Sequence, residues 1–350
     1  MSMRTKAKHP YFVDFNRLTE TVLGYREAKP LLVALHYDLF TWIARGFDTA
    51  ESLSVRLGLD LRATRILLNA IASLGYLKKR ANTYRNTREA RRLLVADSPE
   101  YVGNSLKYQE MIWDAWSDLK RVLKEGKPRE ALLDWIRKDF FTKDYIKAMG
   151  DVSREPAREL AGKLKLGAEL QKECSAVRVL DVGSGAGNFS AAFVEAEPAV
   201  QATLLDLPNT LAIARELLSG HPRAVRFAFR EANYLKDPLG ESEFDLVLIS
   251  NVTRVEDEKT NRMLVAKAFD ALRPGGRLVI HDYVTRPDRT GPKFSALLGL
   301  HLLLFTGKGE VYTTREYAGW LRKAGFRGIR VMRIAQESLH PSCAVVGRKP

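Results

Sequence analysis

Apolar and polar positions divide this chain into two regimes. Up to about residue 170 the apolar residues recur at helical spacing. Leu31, Leu32, Leu35, Leu39, Trp42 and Ile43 mark one face of a stretch from Ala28 to Gly46, the period of a helix with a buried side. Asp48-Thr49-Ala50-Glu51-Ser52-Leu53 carries a helix start, with Asp48 or Thr49 as cap, and Gly58 ends that helix. Arg62 to Leu74 predicts a second helix with Ile66, Leu67, Ala70, Ile71 and Leu74 on one stripe. A strand opens at Gly75-Tyr76-Leu77, Lys78 to Thr83 turns, and Tyr84 returns. Two helices followed by a small hairpin make the pattern of a winged helix. Residues 105–170 read as further helices dense in large side chains, among them Phe141, Tyr145 and Met149. These three fall at i, i+4 and i+8, on one helix face.

From Val177 onward the period changes. Short apolar runs at 177–182, 201–206, 225–229, 244–250 and 276–282 alternate with helical stretches, and Gly328 to Val346 reads as a closing hairpin. Such alternation predicts an α/β, Rossmann-like doubly wound sheet of seven strands ending in an antiparallel hairpin, with ligands at the carboxyl ends of the strands. The three parts expected are a mostly helical winged-helix domain over 1–104, a helical linker over 105–170, and the doubly wound domain over 171–350.

The first of those strands runs into Asp181-Val182-Gly183-Ser184-Gly185-Ala186-Gly187-Asn188. A strand, a turn without side chains where a ligand meets backbone, and a helix at once is a nucleoside-cofactor unit. Asp206 closes the next strand, about 20 residues on, where a carboxylate holds the two hydroxyls of a ribose. The glycines give G-x-G-x-G rather than the dinucleotide spacing, and no Gly-Lys-Ser/Thr follows, so the phosphate cradle of a P-loop is absent.

Composition changes this picture little. Of 350 residues 45% are apolar and 28% charged, which suits about two globular domains. Cys174 and Cys343 are far apart and have no metal-ligand spacing, which points to a reduced, cytoplasmic setting. No apolar h-region follows the basic N-terminus, and the longest apolar run, Ala296 to Phe305, is about half of what a spanning helix needs. The net charge is +14. Residues 1–100 hold 17 Lys/Arg against 10 Asp/Glu, half of that excess, which fits either a nucleic-acid surface or a solvated basic face. The helix Ala63–Leu74 carries Asn69 and Ser73 but almost nothing else polar enough to read bases, and this favours burial over a DNA groove.

With its glycine loop, Asp206-Leu207-Pro208, Ala232-Asn233-Tyr234-Leu235-Lys236-Asp237-Pro238-Leu239 and Leu272-Arg273-Pro274-Gly275-Gly276-Arg277-Leu278-Val279-Ile280, most of the chain resembles a class I S-adenosylmethionine-dependent methyltransferase. It is similar to the plant and bacterial small-molecule O-methyltransferases that carry an N-terminal winged-helix dimerisation domain. The resemblance implies S-adenosyl-L-methionine as cofactor, a homodimer built by the N-terminal domain, and a small, largely apolar acceptor methylated on a hydroxyl. It places Gly183 and Gly185 at the amino acid end of the cofactor with Asp181 near its ammonium, and Asp206 on the ribose. Asn233 stands where an Asp commonly accepts from the adenine amino group, with Tyr234 against the base; Leu207 and Ser250 complete the set. Phe141, Tyr145 and Met149 would line the acceptor pocket.

The catalytic base departs from the family pattern. Plant-like members have a His-Asp-Trp segment after the fourth strand; here Thr253 occupies the His place in Ser250-Asn251-Val252-Thr253-Arg254-Val255, beside the acceptor. A threonine hydroxyl is no base near neutral pH. The family's supporting acids have counterparts in Asp282 and Glu310, and His281 and His301 are imidazoles in the titrating range. Three outcomes stay open: His281 or His301 is the base; the acceptor needs none, being a thioether, an amine or an already ionised thiol or phenol; or the fold has been turned to a non-methylating role, as a cofactor-binding scaffold or a DNA-binding regulator.

Overall fold

The computed structural model describes residues 10–130, 139–166 and 176–350, and the side chains of 13–130, 143–166 and 176–350. The chain forms two compact units that meet in sequence between Met111 and Ile112. The helix Gly103–Met111, inside the span expected as linker, therefore belongs to the first unit.

In the first unit α1 (Pro10–Leu23), α2 (Tyr25–His36) and α3 (Leu39–Ala44) precede α4 (Ala50–Leu57) and α5 (Leu61–Ser73), which lead into a hairpin of β1 (Leu77–Arg80) and β2 (Thr83–Asn86). Thr49 caps α4: its hydroxyl accepts from the Ser52 N–H and Ser52 answers to the Thr49 N–H, at 3.1 and 3.2 Å, a reciprocal box that satisfies two otherwise orphaned donors. Leu35, Phe40, Leu53, Leu68, Ile71 and Tyr84 form the core. Helix α1 leaves an apolar side uncovered, with Phe15 51%, Leu18 62% and Val22 70% exposed.

The second unit is a seven-stranded sheet in the order β5-β4-β3-β6-β7-β9-β8. β3 (Val177–Val182), β4 (Val200–Asp206), β5 (Phe227–Glu231), β6 (Phe244–Ser250) and β7 (Leu272–Asp282) are parallel; β9 (Ser342–Arg348) runs antiparallel between β7 and β8 (Arg327–Ile334). Helices cover both faces, so β3 and β6 are buried nearly throughout, and near-continuous Val/Ile/Leu follows from that. The chain winds outward in both directions from β3. Its carboxyl end, beside those of β4 and β6, is the crevice where such sheets bind ligands.

Three of the parallel strands differ from the expected bounds, β4 by starting one residue earlier at Val200. β5 starts two residues later, because Ala224–Arg226 forms a 3-10 turn with Val225 94% exposed. β7 starts at Leu272 rather than Gly276: Leu272 pairs with Phe244, and a register shift before Leu246 absorbs Pro274-Gly275.

The crevice depends on Gly187, which caps the helix Asn188–Ala196 with φ +80°. A Cβ there would sit 2.7 Å from Leu204 Cδ2 and 2.9 Å from Leu218 Cδ1. Gly187→Ala combines left-handed strain with overpacking, so urea unfolding should show a loss of about 2 kcal/mol; unchanged stability would mean that the loop has an alternative path.

Candidate functional site

A cavity of about 650 Å³ opens at the carboxyl ends of β3, β4, β6 and β7, within the roughly 300–1,000 Å³ usual for small-molecule sites. The strand ends and the turns after them form its floor, and the helix Asp139–Leu164 forms one wall. Asn188 fastens that wall to the glycine loop, donating to the Gly150 carbonyl and to Ser153 Oγ.

On the floor, Asp206 Oδ2 accepts from the Gly185 N–H at 2.9 Å and Oδ1 from the Leu207 N–H at 2.8 Å. Burial nevertheless raises its carboxyl above the usual range against those two donors. Asp181 is 2% exposed, and its Oδ2 accepts from Ser190 Oγ at 2.8 Å. Burial pushes it up to about 7, so it lacks the cation that would hold it ionised. At Gly185 a Cβ would meet nothing within 4 Å: the backbone there borders open space. A carboxylate short of a cation, a second one placed for hydroxyls and a bare backbone between them fit a ligand with an ammonium end and a nucleoside end. Gly183, Leu207, Asn233, Tyr234 and Ser250 line the same cavity. Asn233 Oδ1 accepts from the Leu235 N–H at 2.9 Å, and Tyr234 OH donates to Glu256 Oε1 at 3.0 Å. Glu256, 1% exposed, is ion-paired with Lys308 at 2.6 Å.

Tyr145 and Met149 line the cavity as expected from their helix face; the Phe141 side chain lies outside the described residues. The residues expected to carry the proton chemistry are placed otherwise. His281 borders the cavity, but Nδ1 is 2.9 Å from Ser250 Oγ and Nε2 is 2.9 Å from Ser342 Oγ. Both ring nitrogens are engaged, and burial drives its pKa down to about 4. The imidazole is a neutral tie between β6, β7 and β9 rather than a base with a lone pair to offer. His301 is not a lining residue: its ring packs on Phe305 at 4.5 Å and Trp116 at 6.3 Å, and burial lowers it to about 4. Glu310 is exposed and paired with Arg289 at 3.2 Å, outside the cavity. Thr253 is also absent from the lining. It is 1% exposed and bonded to Asp282 Oδ2 at 2.9 Å and Tyr317 OH at 2.8 Å.

Asp282 itself is fully buried and held by Arg254, whose Nη1 lies 2.8 Å from Oδ1. Sequence reasoning passed over Arg254. Its signal was a cation directly after Thr253, where the His-Asp-Trp pattern has an acid. The fully buried partner that accepts this cation lies 28 residues away, and no linear spacing announces that.

Residues 137–327 match the family profile of the O-methyltransferase domain, and residues 19–96 that of the O-methyltransferase dimerisation domain. A 3-hydroxy-5-methyl-1-naphthoate 3-O-methyltransferase of Streptomyces sahachiroi is 31% identical over 326 residues, 91% of each chain. An N,N-dimethyltransferase of Streptomyces rimosus is 28% identical over 342 residues, 95% of this chain and 96% of its own. Human N-acetylserotonin methyltransferase, solved in complex with SAM, has the same fold with a TM-score of 0.85 at 21% identity over 99% of both chains.

The His281 geometry predicts a pH effect. Between about pH 6.5 and about pH 4 the unfolded chain carries a proton on this imidazole that the folded chain refuses. The stability contributed by the neutral ring is complete above 6.5 and is lost as pH falls towards 4. In urea titrations the advantage of the wild type over His281→Asn should narrow across that window. A constant advantage would mean that the folded ring accepts the proton.

Proposed function

Since this chain belongs to the O-methyltransferase family, we propose that it moves the methyl group of S-adenosyl-L-methionine onto a hydroxyl of a small, largely apolar molecule. The observation that carries this reading is the Gly185–Asp206 cradle, which opens into the same cavity as Tyr145, Met149 and Phe305. When bound, the cofactor supplies an electrophilic methyl on a sulfonium. Gly183 and Gly185 present backbone to its amino acid end, Asp181 takes the ammonium and Asp206 the ribose diol. Leu207, Asn233, Tyr234 and Ser250 enclose the nucleoside. Tyr145 and Met149 hold the acceptor against the methyl. Placement of the two reactants supplies most of the rate in a displacement of this kind.

The N-terminal unit is assigned as a winged-helix module that joins two copies of the chain. The exposed Phe15, Leu18 and Val22 of α1 support this, because an uncovered apolar stripe marks an interaction surface. α5 offers little to a duplex: Ile66 is 54% exposed, Arg65 is paired with Glu51 at 3.0 Å, and Asn69 is bonded to Lys79 and Tyr84. We therefore assign it no nucleic-acid partner. Among the described residues no helix is long and apolar enough to cross a membrane, and we place the enzyme in the cytoplasm. A second reading, transfer to an amine, draws support from the absence of a free imidazole in the cavity lining and from the N,N-dimethyltransferase relative.

Calorimetric titration with S-adenosylhomocysteine should give micromolar binding, and Asp206→Ala should weaken it tenfold or more, about 1.4 kcal/mol. An unaltered affinity would remove Asp206 from the ribose. Asp181 is protonated below about pH 7 without a cation beside it, so affinity for the ammonium-bearing ligand should rise as pH passes upward through 7. Asp181→Asn should flatten that rise, and a rise that persists in the variant would assign the proton elsewhere.

A further inference from the structure

We propose that Arg254 is the acceptor-binding cation of this site, and that the acceptor is taken as an oxyanion, a phenol or enol that arrives ionised, rather than as a neutral alcohol. This rests on the methyltransferase reading and specifies its substrate class.

Arg254 follows β6 and lines the cavity with its side chain 12% exposed. Nη1 donates to Asp282 Oδ1 at 2.8 Å and to Asn251 Oδ1. Nε and Nη2 have no hydrogen-bond partner among the described residues. The guanidinium carbon stands 5.3 Å from the centre of the Tyr283 ring, itself a lining residue. Two donors of a rigid five-donor fork are thus spent on side chains of the protein, and three remain for a ligand.

The ion pair does not exhaust this cation. Besides Arg254 Nη1, Asp282 accepts from Thr253 Oγ1 at 2.9 Å and from the Tyr283 and Arg254 N–H groups at 2.8 and 3.3 Å. Its charge is shared among four donors. Tyr283 and Tyr145, which line the cavity, stand beside the guanidinium, and a charge-assisted bond gains strength in such a partly buried setting. The other two lining cations do not compete equally: Lys308 is committed to Glu256, and Lys236 is exposed to solvent.

The chemistry requires such a group. His281 is engaged on both nitrogens, His301 and Glu310 are outside the cavity, and Thr253 is no base. An acceptor hydroxyl must then lose its proton to solvent before the transfer, and a guanidinium at the oxygen favours the ionised form. A lone pair of the phenolate oxygen forms the C–O bond to the methyl carbon. The C–S bond breaks with its pair going to sulfur, leaving a neutral ether and a neutral thioether. The ether has lost the charge that bound it to Arg254, so product is held less tightly than substrate.

The test uses 4-nitrophenol, whose ionisation is visible by absorbance, and 4-nitroanisole as its non-ionising counterpart. Both are titrated into full-length protein saturated with S-adenosylhomocysteine, which lacks the sulfonium and so leaves Arg254 as the cation at the oxygen. The bound phenol should ionise about one pH unit or more below the free one and bind about tenfold tighter than the anisole. Arg254→Lys should keep part of this preference. Arg254→Gln with Asp282→Asn removes both charges together and leaves no orphaned carboxylate; it should retain homocysteine-ligand affinity and lose the preference. A preference that survives in the double variant, or a wild type that shows none (including failure to bind either probe), overturns the proposal. Failure of the wild type to bind S-adenosylhomocysteine would instead overturn the methyltransferase reading itself.

Discussion

Three carboxylates stand at or beside the carboxyl ends of buried parallel strands, and each is poorly solvated: Asp181 on β3, Asp206 on β4 and Asp282 on β7. An ionised carboxylate removed from water is costly unless something compensates it, and the molecule uses three different remedies. Asp181 is met by the hydroxyl and the backbone N–H of Ser190, and burial still pushes it towards the protonated form. Asp206 takes backbone N–H groups from the loop and from its own successor. Asp282 takes a guanidinium. The first two remedies are incomplete and leave demand for a ligand's cation and hydroxyls. The third is supplied by the chain, and it determines which groups remain to handle the acceptor.

The same accounting explains why the imidazoles fail as bases. Antiparallel β9 inserts beside β7 and pairs His281 with Ala344, which brings Ser342 to one ring nitrogen while Ser250 on β6 reaches the other. A histidine that spans three strands through two hydroxyls gains its place by staying neutral. His301 is neutral for a simpler reason: it is buried against rings, and the Arg254 cation adds to the effect of burial.

Much of this was legible in the sequence, for identifiable reasons. β3 and β6 were found at their observed bounds because strands buried on both faces are continuous apolar runs. Gly58 was found, and Thr49 was one of two caps offered beside Asp48, because caps are local chemistry. Asp206 at the end of β4 was found by its spacing from the glycine loop; its hydrogen bond to the Gly185 N–H was not. What was not legible is pairing between distant segments. Thr253, Arg254, Asp282, Tyr283 and Tyr317 form one hydrogen-bonded and stacked group, yet they come from three stretches with no periodic relation. Glu310 matched a pattern by position, but its carboxylate is paired with Arg289, and neither residue lines the cavity. Residue type and order identify which groups exist; only the register of β7 against β6 and β9 decides which of them meet.

The Asn188 side chain has a mechanical consequence. It follows the glycine loop directly and grips the helix Asp139–Leu164 at the carbonyl of Gly150 and the hydroxyl of Ser153. Displacement of the loop by an incoming nucleoside stretches these bonds unless the helix follows, and that helix carries Tyr145 and Met149. The floor on one side of the cavity and the wall on the other are thereby tied through one side chain, so the loop that borders the nucleoside half and the helix that borders the other half share a fastening.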